Sequence, residues 1–206
     1  EADDDLTGRH RDISEGHDAT CLPFLAHADA VTASTKPLAD LMSGMIHKPA
    51  YVLPNYLPLQ WFQHVAFNQN DNQGNRIGER KREYPDTLNV MFVGTNTHRE
   101  DWKIPTEAAL DVLDTHENVR LIYAGYKPDY VPQHDQIIEM DPVPYTHYPI
   151  TLYEADIVLA AVEPDDRFNQ AKSAVKVLEA WAAKRRIGNS MGGAAVIASK
   201  TRAYRS

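Results

Sequence analysis

The sequence has one cysteine in 206 residues, Cys21. No disulfide can form within the chain, and a reducing, cytoplasmic setting is the expectation. No apolar run approaches the ~20 residues that a membrane-crossing helix needs. The longest runs, such as Ile157 to Val162, are of strand length. The start has no basic, then apolar, then small-residue succession, so no secretory signal is read there. Base is not in excess: 21 Lys and Arg face 29 Asp and Glu, for a net charge of -8. That argues against nucleic acid as the main partner, because phosphate contacts need a basic field. The nine histidines show no helical pair flanking a glutamate, and neither a P-loop nor a nucleophile elbow is present. Three adjacent carboxylates, Asp3 to Asp5, point different ways on an extended chain and read as a solvated acidic cluster, so no metal site is expected.

What is present is ordinary for a globular protein: 43% hydrophobic and 24% charged residues. The charge is uneven. Residues 1–20 carry seven acids against Arg9 and Arg11, and residues 171–206 carry eight bases against Glu179. A solvated face is the plain reading of such blocks, and a nearby anionic ligand is the sharper one. Ala30 to Ser34 reads as a buried strand, Lys36 to Ile46 as a helix capped by Thr35 with Pro37 in its first turn, and Ala50 to Leu53 as a strand. Residues 68–86 turn polar and lose apolar periodicity, as a linker does.

A more regular run follows. Strands are predicted at Leu88–Val93, Val119–Ala124, Gln136–Met140, Ile157–Val162 and Gly193–Ser199. Helices are predicted at Pro105–Thr115, Tyr148–Ala155 and Asn169–Lys184. Apolar strands alternating with helices imply an α/β fold with a parallel sheet covered on both faces.

Ligands bind such sheets at the carboxyl ends of the strands. Gly94 allows close approach to the backbone, and Thr95, Asn96 and Thr97 offer donors to phosphate oxygens, though a plain helix-capping turn has the same composition. His98 is either a phosphate donor or an orienting group. Asn169, Lys172 and Ser173 fall in the first turn of the predicted last helix, where free N–H groups and the dipole attract anions. Glu179, seven residues after Lys172, falls on the same face of that helix and offers an acceptor to ribose hydroxyls. The plain alternatives are a solvent-facing lysine and a surface glutamate.

These segments together resemble retaining glycosyltransferases of the GT-B fold, in particular glycosyltransferase family 4-like members. Asp3 to Leu6 is similar to an acidic run late in the first domain of that family. Ala28 to Thr35 is similar to a strand of that domain, and Val52 to Asn55 to the segment before the interdomain crossover. Val93 to His98 with Asp101 is similar to the loop that opens the second domain. Phe168, Asn169, Lys172, Ser173, Lys176, Leu178 and Glu179 fit the family's phosphate- and ribose-binding segment. Val196 to Ser199 with Tyr204 resembles its last strand.

The resemblance implies a Rossmann-like C-terminal GT-B domain at 88–206, a linker or surface loop at 67–87, and the tail of an N-terminal, acceptor-side α/β domain at 1–66. It implies that Gly94 and Thr95 approach the diphosphate of a UDP- or GDP-hexose, with Asn96 and His98 in the same loop. Lys172 and Ser173 would hold phosphate beside Asn169, Glu179 the ribose, and residues 142–145, Tyr145 among them, the base. Lys172 and Glu179 would be the catalytic pair. The nucleotide-sugar is a substrate, and the family needs no cofactor or metal: positioned donors stabilise the leaving diphosphate.

The chain departs from the family pattern at Ala171, where many members carry a second glutamate, and at Lys184 to Gly192, which is longer than the usual turn. Set against the family's layout, the chain reads as cut at both ends, so an acceptor and another chain completing the fold are the partners implied. A second reading is a non-catalytic remnant of this fold used as a structural or interaction module. A third is another enzyme of the fold, such as a nucleotide-sugar epimerase.

Overall fold

The computed structural model describes residues 23, 25, 27–58, 60, 62, 83–162, 167–183, 185–189 and 196–198. The acidic Asp3–Leu6 run, Cys21, Tyr204 and most of the 67–87 linker lie outside the described residues. The chain folds as two units, 1–56 with 164–175, and 57–163 with 176–206.

The first unit is built on β1 (Val31–Ala33), α1 (Lys36–Ile46) and β2 (Ala50–Val52), with the two strands parallel. Thr35 sits in extended conformation, and its Oγ1 accepts the Leu38 N–H at 3.3 Å, which fixes the start of α1. His47, at φ 53°, ends the helix by donating its N–H to the Ser43 carbonyl. Leu38, Ala39 and Met42 bury one face of α1 against Val31 and Ala33. The same core takes in Ala171 from α4 (Arg167–Ala171).

The second unit holds a six-stranded sheet: β3 (Leu88–Val93), β4 (Val119–Ala124), β5 (Ile137–Met140), β6 (Ile157–Ala160), β7 (Arg186–Asn189) and β8 (Val196–Ala198). Its spatial order is β5-β4-β3-β6-β7-β8, all parallel except β8, which runs antiparallel to β7 at the edge. This is the doubly wound order, with its switch point between β3 and β6. The fold class is therefore the α/β, Rossmann-like arrangement that the sequence predicts. β3 and β4 are nearly buried throughout, as strands covered on both faces must be.

Between the strands lie α2 (Lys103–Leu113), α3 (Tyr148–Tyr153) and α5 (Val175–Ala182). Phe92, Trp102 and Tyr123 form the centre of the core, with the Phe92 and Tyr123 rings stacked at 5.0 Å. The buried Tyr123 hydroxyl pairs with Thr106 Oγ1 at 2.8 Å, and burial pushes the phenol up to about 12. No helix among the described residues is long and apolar enough to cross a membrane.

Two elements differ from the sequence reading. The predicted helix Asn169–Lys184 is broken at Lys172–Ala174 into α4 and α5. In a continuous helix the Ala171 carbonyl would take the Val175 N–H; here Thr35 Oγ1 donates to it at 2.7 Å. The stretch read as a long turn, Lys184 to Gly192, contains β7, and β8 is antiparallel instead of extending a parallel sheet.

Candidate functional site

Two glycines carry backbone hydrogen bonds that tie the carboxyl end of β3 to β4 and that of β4 to β5. The Gly94 N–H donates to the Ala124 carbonyl at 3.0 Å, and the Gly125 N–H to that of Met140 at 2.9 Å. Gly125 sits at φ 91°, and a Cβ there would come within 2.6 Å of the Gly94 carbonyl oxygen. That oxygen belongs to rigid backbone, so position 125 admits glycine alone. At Gly94 a Cβ would lie 2.6 Å from His98 Cδ2 and 3.3 Å from the Trp102 ring. The space that glycine leaves on this side is thus filled by the protein's own imidazole.

Past Gly94 the chain makes one turn of 3₁₀-helix, Asn96–His98, with the Thr95 and Thr97 hydroxyls 2.9 Å apart. The His98 ring lies parallel to Trp102, at 5.6 Å and 9°. Its Nδ1 meets Asp101 Oδ2 at 3.2 Å, and the Asp101 side chain is fully buried.

A second cluster surrounds Glu179 on α5. Glu179 is buried, at 5% exposure. The Tyr145 hydroxyl donates to Oε1 at 2.9 Å, and Tyr148 donates as well. Burial pushes the Glu179 carboxyl up, against the hydrogen bonds from the two tyrosines and the charge of Lys176. Both phenols are held far above their ordinary range, first by burial and then by the adjacent carboxylate. The tyrosine rings stack at 5.7 Å, and half of Tyr145 stays exposed. The result is a buried carboxylate with fixed donors on it and acceptor capacity left for ligand hydroxyls.

In the first unit, Lys172 and Ser173 lie in the turn that follows α4, and Asn169 is buried within α4. Ser173 Oγ accepts a hydrogen bond from Asn55 Nδ2 at 2.9 Å. Lys172 and Ser173 are therefore not in the first turn of a long helix. Because that helix is broken, Lys172 and Glu179 do not share a helical face, and the seven-residue spacing loses its geometric meaning.

The structure thus gathers the predicted residues in three groups: Gly94, Thr95, Asn96 and His98 in one loop, Tyr145 with Glu179 in a cluster, and Asn169, Lys172 and Ser173 around one turn. The sequence reading assigned no role to Tyr148, Lys176 or Asp101. The spacing was there to find them, since Tyr148 follows Tyr145, Lys176 precedes Glu179 and Asp101 follows His98 by three residues each. Of the basic C-terminal block, Arg185 is used internally: its guanidinium stacks on Tyr153 at 4.7 Å and bonds the Ala155 carbonyl.

No protein-family model matches the sequence, and no curated protein does. Among solved structures the chain is similar to OtsA in its apo structure, with a TM-score of 0.51 at 14% identity, over 80% of this chain. The fold is GT-B-like. The chain spans 45% of the length of that OtsA chain. It also aligns with the UDP co-structure of S. aureus MnaA (TM-score 0.39, 20% identity, 66% of this chain and 38% of that one). A third alignment is with the Gap123 complex from Streptococcus agalactiae (TM-score 0.41, 10% identity, 84% of this chain and 35% of that one). Within a GT-B-like fold, the Gly94 loop follows β3, one of the two strands at the switch point, where ligands of doubly wound sheets bind.

Proposed function

We propose that the chain carries the donor-binding part of a retaining glycosyltransferase that moves a hexose from a UDP- or GDP-sugar to an acceptor. The observation that carries this reading is the buried Glu179 carboxylate, oriented by Tyr145 and Tyr148. A buried carboxylate costs stability unless its oxygens are satisfied. Two phenols held on it, one of them half exposed, suit a group kept to receive ligand hydroxyls.

In this reading Glu179 accepts the two ribose hydroxyls and Tyr145 lies beside the base. The Gly94–His98 loop, with Thr95 and Asn96 as donors, faces the diphosphate. These donors take up the charge that develops on the diphosphate as the bond from the sugar C1 to the phosphate oxygen breaks. The acceptor oxygen then bonds to C1 on the same face and gives its proton to the leaving diphosphate oxygen. Positioned donors supply the stabilisation.

A second reading, a non-catalytic structural or interaction module, draws on Ala171. Where the resembled family carries a second glutamate, this residue is buried at 3% exposure in an apolar core. The test is Glu179→Gln with ribo- and 2′-deoxyribonucleoside diphosphates. Ribose binding should fall by about 1–3 kcal/mol, the size of a hydrogen bond to a charged group, with a smaller loss for the deoxy series. Equal losses for both would remove Glu179 from the ribose.

A further inference from the structure

We infer that the Tyr145 hydroxyl holds the place of a ribose hydroxyl on Glu179 Oε1, and that a nucleoside diphosphate binds by exchanging its own hydroxyl for that phenol. The exchange rests on the donor-binding reading above, and it sets how that site opens and which nucleotides open it.

Glu179 has acceptor capacity but almost no surface, at 5% exposure. A hydroxyl must come within about 2.8 Å of a carboxylate oxygen to bond to it, so a group that covers the carboxylate has to move first. Two phenols cover it: Tyr145 donates to Oε1 at 2.9 Å, and Tyr148 is the second donor. The two are placed differently. Tyr148 is half-buried and begins α3, which buries Pro149, Thr151 and Leu152. Tyr145 lies in a single turn of 3₁₀-helix, Tyr145–His147, whose three residues are all exposed, and 47% of Tyr145 itself faces solvent. Turning its ring outward gives up the bond to Oε1 and the stack on Tyr148. Tyr145 is therefore the cover that moves, and Tyr148 the donor that stays and keeps the carboxylate oriented.

A phenol and a ribose hydroxyl each bring one O–H donor to the same oxygen. The buried carboxylate ends the exchange as well satisfied as it began, which a buried charge requires. A nucleotide without ribose hydroxyls cannot make the exchange, so the phenol selects for them. It also lowers the apparent affinity of every ribonucleotide, in proportion to the share of time that it holds Oε1.

Tyr145→Phe keeps the ring and removes only the hydroxyl, which makes the test direct. Wild type, Tyr145→Phe and Tyr148→Phe are titrated with UDP, GDP and their 2′,3′-dideoxy forms. Tyr145→Phe should bind the preferred ribonucleotide about tenfold more tightly than wild type, one hydrogen bond's contribution, with no gain for the dideoxy form. Tyr148→Phe should show no gain for either. Equal or weaker ribonucleotide binding by Tyr145→Phe overturns the exchange and leaves the donor-binding reading standing, as does a gain shared by the dideoxy form. If neither wild type nor Tyr145→Phe binds UDP or GDP, the donor-binding reading fails and the exchange with it.

Fluorine NMR of the 3-fluorotyrosine-labelled chain follows the phenol itself, with Tyr145 assigned by its loss in Tyr145→Phe. Its resonance should shift on saturation with the ribonucleotide and stay in place with the dideoxy form. No shift, or the same shift with both, overturns the exchange.

Discussion

Gly125 shows how a single residue constrains this site. Its φ of 91° and the 2.6 Å approach of the Gly94 carbonyl oxygen act at the same place. Gly125→Ala should destabilise the fold by about 1–2 kcal/mol from the backbone conformation alone, and by more once the contact is counted. Chemical denaturation reads the loss as a lower midpoint; an unchanged midpoint would mean that the two strand ends are not tied as described. Residue types at the site were legible in the sequence, because glycine, threonine and asparagine after an apolar strand are a local pattern. Their partners were not. Glu179 in isolation reads equally well as a surface glutamate, and only the approach of Tyr145, 34 positions away, makes it a buried and oriented acceptor. The neighbour of His98, Asp101, is likewise not named by the sequence pattern alone, though it stands three positions on with its Oδ2 3.2 Å from Nδ1.

Among the elements, α1 was legible to the residue, since its signals are local: Thr35 caps it and Pro37 occupies its first turn. The break between α4 and α5 was not. Ala171, Ala174, Val175 and Leu178 keep helical spacing straight across it, and the partner that takes the Ala171 carbonyl at the break, Thr35, lies 136 positions away. Thr35 thus serves two elements, accepting from Leu38 and donating to Ala171. Thr35→Ala removes a cap of about 1 kcal/mol and a tertiary hydrogen bond of about the same size. The expected result is a drop in the thermal midpoint that Thr35→Ser largely restores. Full stability in the alanine variant would show that neither bond contributes. β7 was missed because Arg186–Asn189 is short, polar at its ends and interrupted by Gly188, so it has no period to read.

At the scale of the whole molecule, the sheet was legible as a class, because apolar strands alternate with helices through 88–160. The antiparallel edge strand was not, because strand direction at an edge is decided by pairing and not by composition. The β5-β4-β3-β6-β7-β8 order puts the switch point between β3 and β6 and makes the carboxyl ends of the parallel strands the place to look for a ligand. The central claim is that this fold holds a nucleoside diphosphate. Calorimetric titration of the 206-residue chain with UDP, GDP and ADP in turn, without added metal, tests it most directly. The account predicts saturable binding of UDP or GDP, with one preferred over the other two. No binding heat from any of the three, in a chain that unfolds cooperatively on heating, would contradict it and favour the non-catalytic module.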